Sequence, residues 1–248
     1  MHKPVQQALA TIMLVLASAS TVHAADVTVS VTGLANPKLA GMPVGSVAGV
    51  QPGNPSVYDT APAQSPLEVT GLSLVAGTWM QFTQVSGQVG NCGGGCWGGG
   101  PDGSNSLYSF DAENGISGIV NARLDALVGV FLGAQAPNLG TAPAALNFGA
   151  AGTDALGTDF TTLAPALQQV FFIGDGLTGT GGGTVQSFRV PVGATRLFLG
   201  TMDAYEWNNN INPGLAITAT VSAVPEPAST ALLLAGLGLV GVAARRRR

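Results

Sequence analysis

One loop of the chain, residues 203–210, carries the side chains best suited to metal chemistry. Calcium takes about six to eight hard oxygen ligands in proteins. The carboxylate of Asp203, the amide oxygens of Asn209 and Asn210, and nearby backbone carbonyls would supply several such oxygens within one compact loop. Asn208 is an alternative to either asparagine. The same residue types dominate tight turns, because they tolerate unusual φ angles and hydrogen-bond their own backbone, so a plain turn is the competing interpretation.

The two cysteines, Cys92 and Cys96, enclose three glycines. In an exported protein a disulfide is the expected state, and the glycines allow so short a ring to close. A redox role is the alternative. Redox motifs of the C-x-x-C type have a shorter spacing, however, and no helical pattern follows here to lower a thiol pKa. The spacing therefore favours a structural disulfide that pins a loop.

Histidine chemistry is missing from residues 25–223, because both histidines of the chain, His2 and His23, lie before residue 25. This excludes a Ser-His-Asp triad, histidine zinc sites and the commonest general base. A pair of carboxylates hydrolysing a glycosidic bond is the remaining enzymatic alternative, but no spacing identifies such a pair. A second acidic loop either is solvated or lines the same site as Asp203; it contains Asp102, Asp111 and Glu113. We expect no enzymatic activity.

Short apolar–polar alternations predict strands through the middle of the chain. Gly, Pro, Asn and Asp clusters separate the runs, and no repeat of fixed period is visible. The pattern predicts an all-β fold, an antiparallel β-sandwich of jelly-roll type. Residues 159–169 form the one helix candidate, which Pro165 would interrupt. The predicted strands are residues 27–31, 67–74, 79–85, 116–120, 127–132, 170–173, 185–190, 196–199 and 215–221.

Several segments resemble the LecA type of calcium-dependent, galactose-binding lectins, which are small galactose-binding-like β-sandwiches. The resemblance lies in residues 36–43, 59–66 and 79–90 and most strongly in residues 196–210, which lead to Gly214 and a final strand.

The lectin resemblance implies that one ion binds both the protein and two sugar hydroxyls. Its calcium ligands would be Asp203, Asn209 and Asn210, together with the backbone carbonyls of Trp207 and of Gly87 or Gln88. Asp203 and Asn210 would contact the sugar. Apart from the resemblance, the rings of Tyr205 and Trp207 would offer an apolar platform for the C–H face of a hexose. An alternative for the aromatic residues Tyr205 and Trp207 is burial at the end of a strand.

The exported part of the chain is strongly acidic. Its four cations, Lys38, Arg123, Arg189 and Arg196, face 12 carboxylates, the 13 of the whole chain less Glu226. A nucleic-acid partner is therefore not expected, because no basic surface is available to displace phosphate counterions.

The C-terminal segment has three parts in order: Val224-Pro225-Glu226-Pro227, an apolar run over residues 228–244, and Arg245, Arg246, Arg247 and Arg248. The run is just long enough for a helix that spans a bilayer, and the arginines would stay on the cytoplasmic face. This arrangement resembles the PEP-CTERM sorting signal of Gram-negative bacteria. The resemblance implies that an exosortase reads the motif and releases the protein from its hydrophobic tail. An ordinary membrane anchor is the alternative.

The N-terminal segment predicts a signal peptide: a weakly positive start at His2 and Lys3, an apolar run over residues 8–17, and small residues before Ala24. Signal peptidase would cut after Ala24, or alternatively after Ala25. The domains would then be residues 1–24, 25–223 and 224–248.

The two targeting segments predict an inner-membrane precursor that becomes a cell-surface or extracellular-matrix protein. The sequence thus predicts a lectin-like protein in an exopolysaccharide or biofilm setting, with calcium as its cofactor and galactose-like glycans as its partners. A structural matrix protein without a specific ligand is the alternative, and a glycoside-acting enzyme a more distant one.

Overall fold

Short strands make up nearly all the regular structure in the described residues of the computed structural model, which are 26–51, 53–91, 93, 98–150, 154–179, 181–211 and 215–224. These residues belong to one compact unit, residues 23–226. Two single-turn 3-10 helices, Pro37–Leu39 and Pro137–Leu139, each begin at a proline, whose fixed φ suits a first helical position. The strands are β1 Val27–Val31, β2 Val47–Ala48, β3 Asp59–Thr60, β4 Leu67–Glu68, β5 Trp79–Gly87, β6 Leu107–Phe110, β7 Ile119–Arg123, β8 Leu127–Leu132, β9 Leu146–Asn147, β10 Thr162–Leu163, β11 Val170–Phe172, β12 Ser187–Arg189, β13 Arg196–Thr201 and β14 Ile217–Val224.

Two larger sheets carry the longest strands. One has the order β1-β14-β5-β12-β10 and the other the order β11-β8-β13-β4. All their neighbouring strands are antiparallel except the short pair β10 and β12. Two smaller sheets, β2-β3 and β6-β7-β9, accompany them. The all-β prediction is confirmed, and the antiparallel sheets are consistent with a β-sandwich.

Aromatic side chains fill the space between the two larger sheets. Phe171 of β11 and Phe188 of β12 meet with ring centroids 5.3 Å apart, and Phe82 and Phe131 extend the contact within each sheet. All four rings are fully buried. Such rings contribute more buried apolar area than any other residue type, so this cluster is the centre of the core.

Three predicted elements differ from the structure. The strand expected over residues 116–120 lies at Ile119–Arg123 instead. The long strand expected over residues 67–74 is only Leu67–Glu68, and Gly71 then adopts a φ of +85°, which ends the extended run. Residues 159–169 contain strand β10 and no helix, as Pro165 would suggest. Within the described ranges, no helix is long and apolar enough to cross a bilayer. The apolar run at residues 228–244 lies outside those ranges.

The strand register separates two ends of this unit. We call one of them the terminal end: there Val224 pairs with Trp79, and the Val190 amide donates a hydrogen bond to the Thr78 carbonyl. We call the other the acidic end: there strands β1, β5 and β13 finish, and the Thr201 hydroxyl donates to the carbonyl of Gly33. The acidic end is named for Asp102, Asp125, Asp175 and Asp203, which lie in the loops there.

Candidate functional site

The loop predicted to bind calcium follows β13 at the acidic end. Asp203 is 8% exposed, and its carboxylate accepts hydrogen bonds from the Ala204 amide and, at 2.8 Å, from the Asn210 side chain. The Asn210 backbone amide donates to the Trp207 carbonyl at 3.0 Å. Residues 203–210 therefore form a closed turn that brings Asp203 and Asn210 into direct contact.

The aromatic residues of this loop occupy different environments. Trp207 is fully buried; its indole N–H donates to the Thr201 carbonyl at 2.8 Å, and its ring packs edge-on against Phe110. The Trp207 ring is therefore a core element and cannot serve as a sugar platform. Tyr205, in contrast, is 51% exposed. Of the two aromatic residues, only Tyr205 can offer its ring to a ligand.

Two amide oxygens in the loop have no hydrogen-bond partner among the described residues. They are the buried side-chain oxygens of Asn209 and Asn210. The side-chain nitrogen of Asn210 already donates to Asp203 and to the Gly33 carbonyl, and that of Asn209 donates to Glu206. An unpaired buried acceptor is costly, so both oxygens are available to a cation or a water. Asn208 differs, because its side chain donates to the Tyr58 carbonyl.

Gly87 lies at the end of β5, where it pairs with Ile217. The carbonyl of Gly90, three residues further on, faces Gly33 beside Asn210: a Cβ added at Gly33 would come within 3.1 Å of both the Gly90 oxygen and Asn210. The loop after β5 thus brings the Gly90 carbonyl near Asn210, although the sequence pattern pointed to Gly87 or Gln88.

Three carboxylates are buried around this loop, and sequence reasoning finds only Asp203. Burial raises the pKa of Asp203 to about 6, although the hydrogen bonds from Asn210 and Ala204 lower it. Burial and, to a smaller extent, the charge of Asp203 together raise the pKa of Asp125 to about 6, although a hydrogen bond from the Gly99 amide lowers it. Asp59 also has a raised pKa through burial. Three buried acids this close together favour protonation or a compensating cation.

Asp59 organises the turn from the opposite side. Its carboxylate accepts from the backbone amides of Trp207 and Asn208 at 2.9 and 2.8 Å and from the Asn36 side chain at 2.8 Å. The nearby positive charge of Lys38 lowers its pKa, although burial has the larger effect. Asp59 sits in a two-residue strand, so neither periodicity nor motif spacing could have revealed it.

A polar cleft of about 440 Å³ opens beside the loop, lined by Tyr205, Ala204 and the segment 109–113. In its wall, Lys38 and Glu113 form an ion pair at 2.9 Å, and Glu113 also accepts from the Gly49 amide. The Lys38 ammonium lies 5.4 Å from the Phe110 ring centroid, within cation–π range. These contacts hold Glu113 in a fixed position beside Tyr205.

The second acidic loop divides between two places. Asp111 and Glu113 line the cleft with Tyr205. Asp102 does not: it accepts from the Asp175 amide at 2.9 Å. Burial raises the pKa of Asp102. One part of this loop therefore reaches the candidate ligand site, and the other part supports a neighbouring turn.

Among the described residues, no group of three or more His, Cys, Asp or Glu side chains is placed to hold a metal ion. A calcium ion at the loop would consequently rely on amide and carbonyl oxygens beside the carboxylate of Asp203. The free oxygens of Asn209 and Asn210 fit that requirement. The predicted Cys92–Cys96 disulfide and the Pro225, Glu226 and Pro227 motif lie outside the described residues.

Comparison with known proteins identifies the C-terminal segment. Residues 223–248 match the family described as the PEP-CTERM protein-sorting motif. The comparisons with curated proteins and with solved structures returned no match. The sorting motif implies an exported protein that is anchored at the membrane before cleavage and is processed by exosortase.

Proposed function

We propose that this exported, exosortase-processed surface protein is a lectin-like matrix component that binds carbohydrate in the cleft beside Tyr205. The observation that carries the proposal is that the half-exposed Tyr205 lines one polar cleft together with Asp111 and with Glu113, whose carboxylate is held by Lys38. Signal peptidase cleavage after Ala24, a transient inner-membrane span over residues 228–244 and a galactose-binding-like jelly roll belong to the same proposal. So does the absence of catalysis.

The cleft has the chemistry that a sugar requires. Its volume of about 440 Å³ falls in the range of small-molecule sites. Asp111 and Glu113 can accept hydrogen bonds from sugar hydroxyls, while the Tyr205 ring can pack against the apolar C–H face of a hexose. Since the Lys38 ion pair already fixes Glu113, little side-chain entropy would be lost on binding.

A glycan array with the processed protein tests this proposal. We expect binding to exopolysaccharide fragments or galactose-like glycans, and Tyr205→Ala should reduce it because the stacking surface is lost. Tyr58→Ala is a matched control, since Tyr58 is also exposed, at 42%, and does not line the cleft. Glycan binding that Tyr205→Ala leaves as strong as Tyr58→Ala does would reject this cleft as the sugar site. No binding to any glycan would leave a structural matrix protein as the better account.

Calcium binding at the adjacent loop is the second candidate, favoured by the unpartnered oxygens of Asn209 and Asn210. Asp203 would supply the charge, and the backbone carbonyls of Trp207, Gly87 or Gly90 would be further oxygen donors. When bound, the ion would neutralise the buried carboxylates and could hold sugar hydroxyls. Weak binding is expected, because both carboxylate oxygens of Asp203 already accept hydrogen bonds.

Thermal unfolding with and without calcium tests this second proposal. Extracellular calcium modules bind with a Kd of about 10⁻⁴ to 10⁻³ M. Calcium at about ten times its Kd would stabilise the folded state by about 1.4 kcal/mol, a rise in Tm of about 3–6 °C. Asp203→Ala should abolish the rise and Asn209→Ala should reduce it, whereas Asn208→Ala, with its amide bonded to Tyr58, should not. Melting indifferent to calcium would exclude the site.

A further inference from the structure

We propose that the terminal end of this unit is a membrane-facing surface that rests on phospholipid headgroups while the precursor is anchored. The inference rests on the membrane anchoring that the sorting motif implies. It assigns an interaction surface to the end of the unit opposite the candidate sugar site.

The first argument is chain length. β14 remains paired up to Val224, which lies opposite Trp79. Only residues 225–227 separate Val224 from the apolar run that begins at Ala228. An extended chain spans at most about 3.6 Å per residue, so Val224 lies within about 14 Å of the start of that run. The headgroup layer occupies roughly 5–8 Å of this distance. The gap that remains between Val224 and the headgroups is therefore smaller than the spacing of two packed sheets, about 10 Å.

The second argument is the chemistry of the terminal end. Val192 is 85% exposed and Val75 is 54% exposed, and both lie in turns at this end. The exposed Arg189 lies beside Val192 around a small depression. Exposed valines beside a cation suit the interface of a membrane that contains anionic lipids.

Charge is distributed unequally between the two ends. Arg189 and Arg196, two of the four cations of residues 25–223, lie at the terminal end. Arg196 is held there by hydrogen bonds to the carbonyls of Gly133 and Gln135. The exposed Asp26 and Glu68 lie in the same half of the unit as these two arginines and balance their charge, but the loop carboxylates Asp125, Asp175 and Asp203 lie at the acidic end. An anionic bilayer would therefore repel the acidic end more strongly than the terminal end.

The orientation has a functional consequence. With the terminal end on the bilayer, the 203–210 loop and the Tyr205 cleft point away from it. The precursor would thus present its candidate sugar site to the exopolysaccharide side before the sorting enzyme releases it.

Photo-crosslinking of the uncleaved precursor tests the inference. The full chain, with a photoreactive benzoylphenylalanine at position 75 or 192, is reconstituted without exosortase in vesicles of phosphatidylcholine and phosphatidylglycerol. Position 211 is the matched control, because Ile211 is 56% exposed and Val75 is 54% exposed. Position 50, where Val50 lines the Tyr205 cleft, is a second control.

We expect lipid adducts at positions 75 and 192 to exceed those at positions 211 and 50 several-fold. Equal adducts at all four positions, or adducts to a second copy of the chain, would overturn the surface while leaving membrane anchoring intact. A precursor that fails to float with the vesicles would contradict the anchoring itself and, with it, the surface. Separate measurement of flotation and of adduct formation distinguishes these outcomes.

Discussion

Asp125→Asn should make the stability of this protein less dependent on pH. Asp125 is 1% exposed, and its carboxylate accepts a single described hydrogen bond, from the Gly99 amide at 3.1 Å. Burial raises its pKa from 3.8 to about 6. The folded state therefore holds this proton more tightly than the unfolded state does. The resulting stabilisation is present below about pH 4 and is lost as the pH rises towards 6.

The size of the effect follows from the shift. Each pKa unit corresponds to about 1.36 kcal/mol, so a shift of about two units destabilises the ionised protein by up to about 3 kcal/mol. Asparagine keeps the shape of the side chain and tolerates the φ of +70° at this position. Its new N–H₂ group adds a burial cost of about 1–3 kcal/mol where it lacks a partner. That cost does not vary with pH, so the pH dependence isolates the carboxylate.

Urea unfolding of the processed protein, followed by tryptophan fluorescence at pH values from 4 to 7, measures the effect. The free energy of unfolding of Asp125→Asn relative to wild type should rise by about 2–3 kcal/mol across this interval. The exposed Asp154→Asn serves as the control for a general charge effect. A difference between Asp125→Asn and wild type that stays constant within about 0.5 kcal/mol would refute the reasoning, because neutralising the buried acid would then have removed no titration.

Three further outcomes are expected. Phe188→Ala should lower the free energy of unfolding by about 3–5 kcal/mol in urea, because this ring contacts Phe82 and Phe171 at the centre of the core; a loss below about 1 kcal/mol would contradict that packing. Peptide mass mapping without reductant should find Cys92 and Cys96 joined by a disulfide, and the detection of two free thiols would disprove that bond. Glu226→Ala should leave the precursor in the membrane fraction, whereas normal release would show that this side chain is not read.

The sequence predicts the long strands well and the short ones poorly. β5 and β14 alternate clearly, and β8 is an unbroken apolar run because all six of its residues are buried. Strands of two residues, such as β2 and β3, are too short to show a period and form only because longer elements place them together. Residue types therefore predicted most of the longer strands but not how the strands pair in the sheets.

The candidate site shows the same division. The Asp203 and Asn210 contact arises within one loop, so local spacing could reveal it. Asp59 comes from a distant segment and caps the Trp207 turn, and Asp125 comes from a turn before β8. An isolated aspartate in a sequence does not indicate whether it will be buried, because burial depends on contacts between distant segments. The cleft between Tyr205 and Glu113 likewise depends on tertiary packing.

Intact-mass analysis of the protein from its native host tests the central claim most directly. Export and exosortase processing predict a mature species that begins near Ala25 and lacks the hydrophobic segment of residues 228–244. A mature species that retains this segment together with Arg245, Arg246, Arg247 and Arg248 would contradict the account.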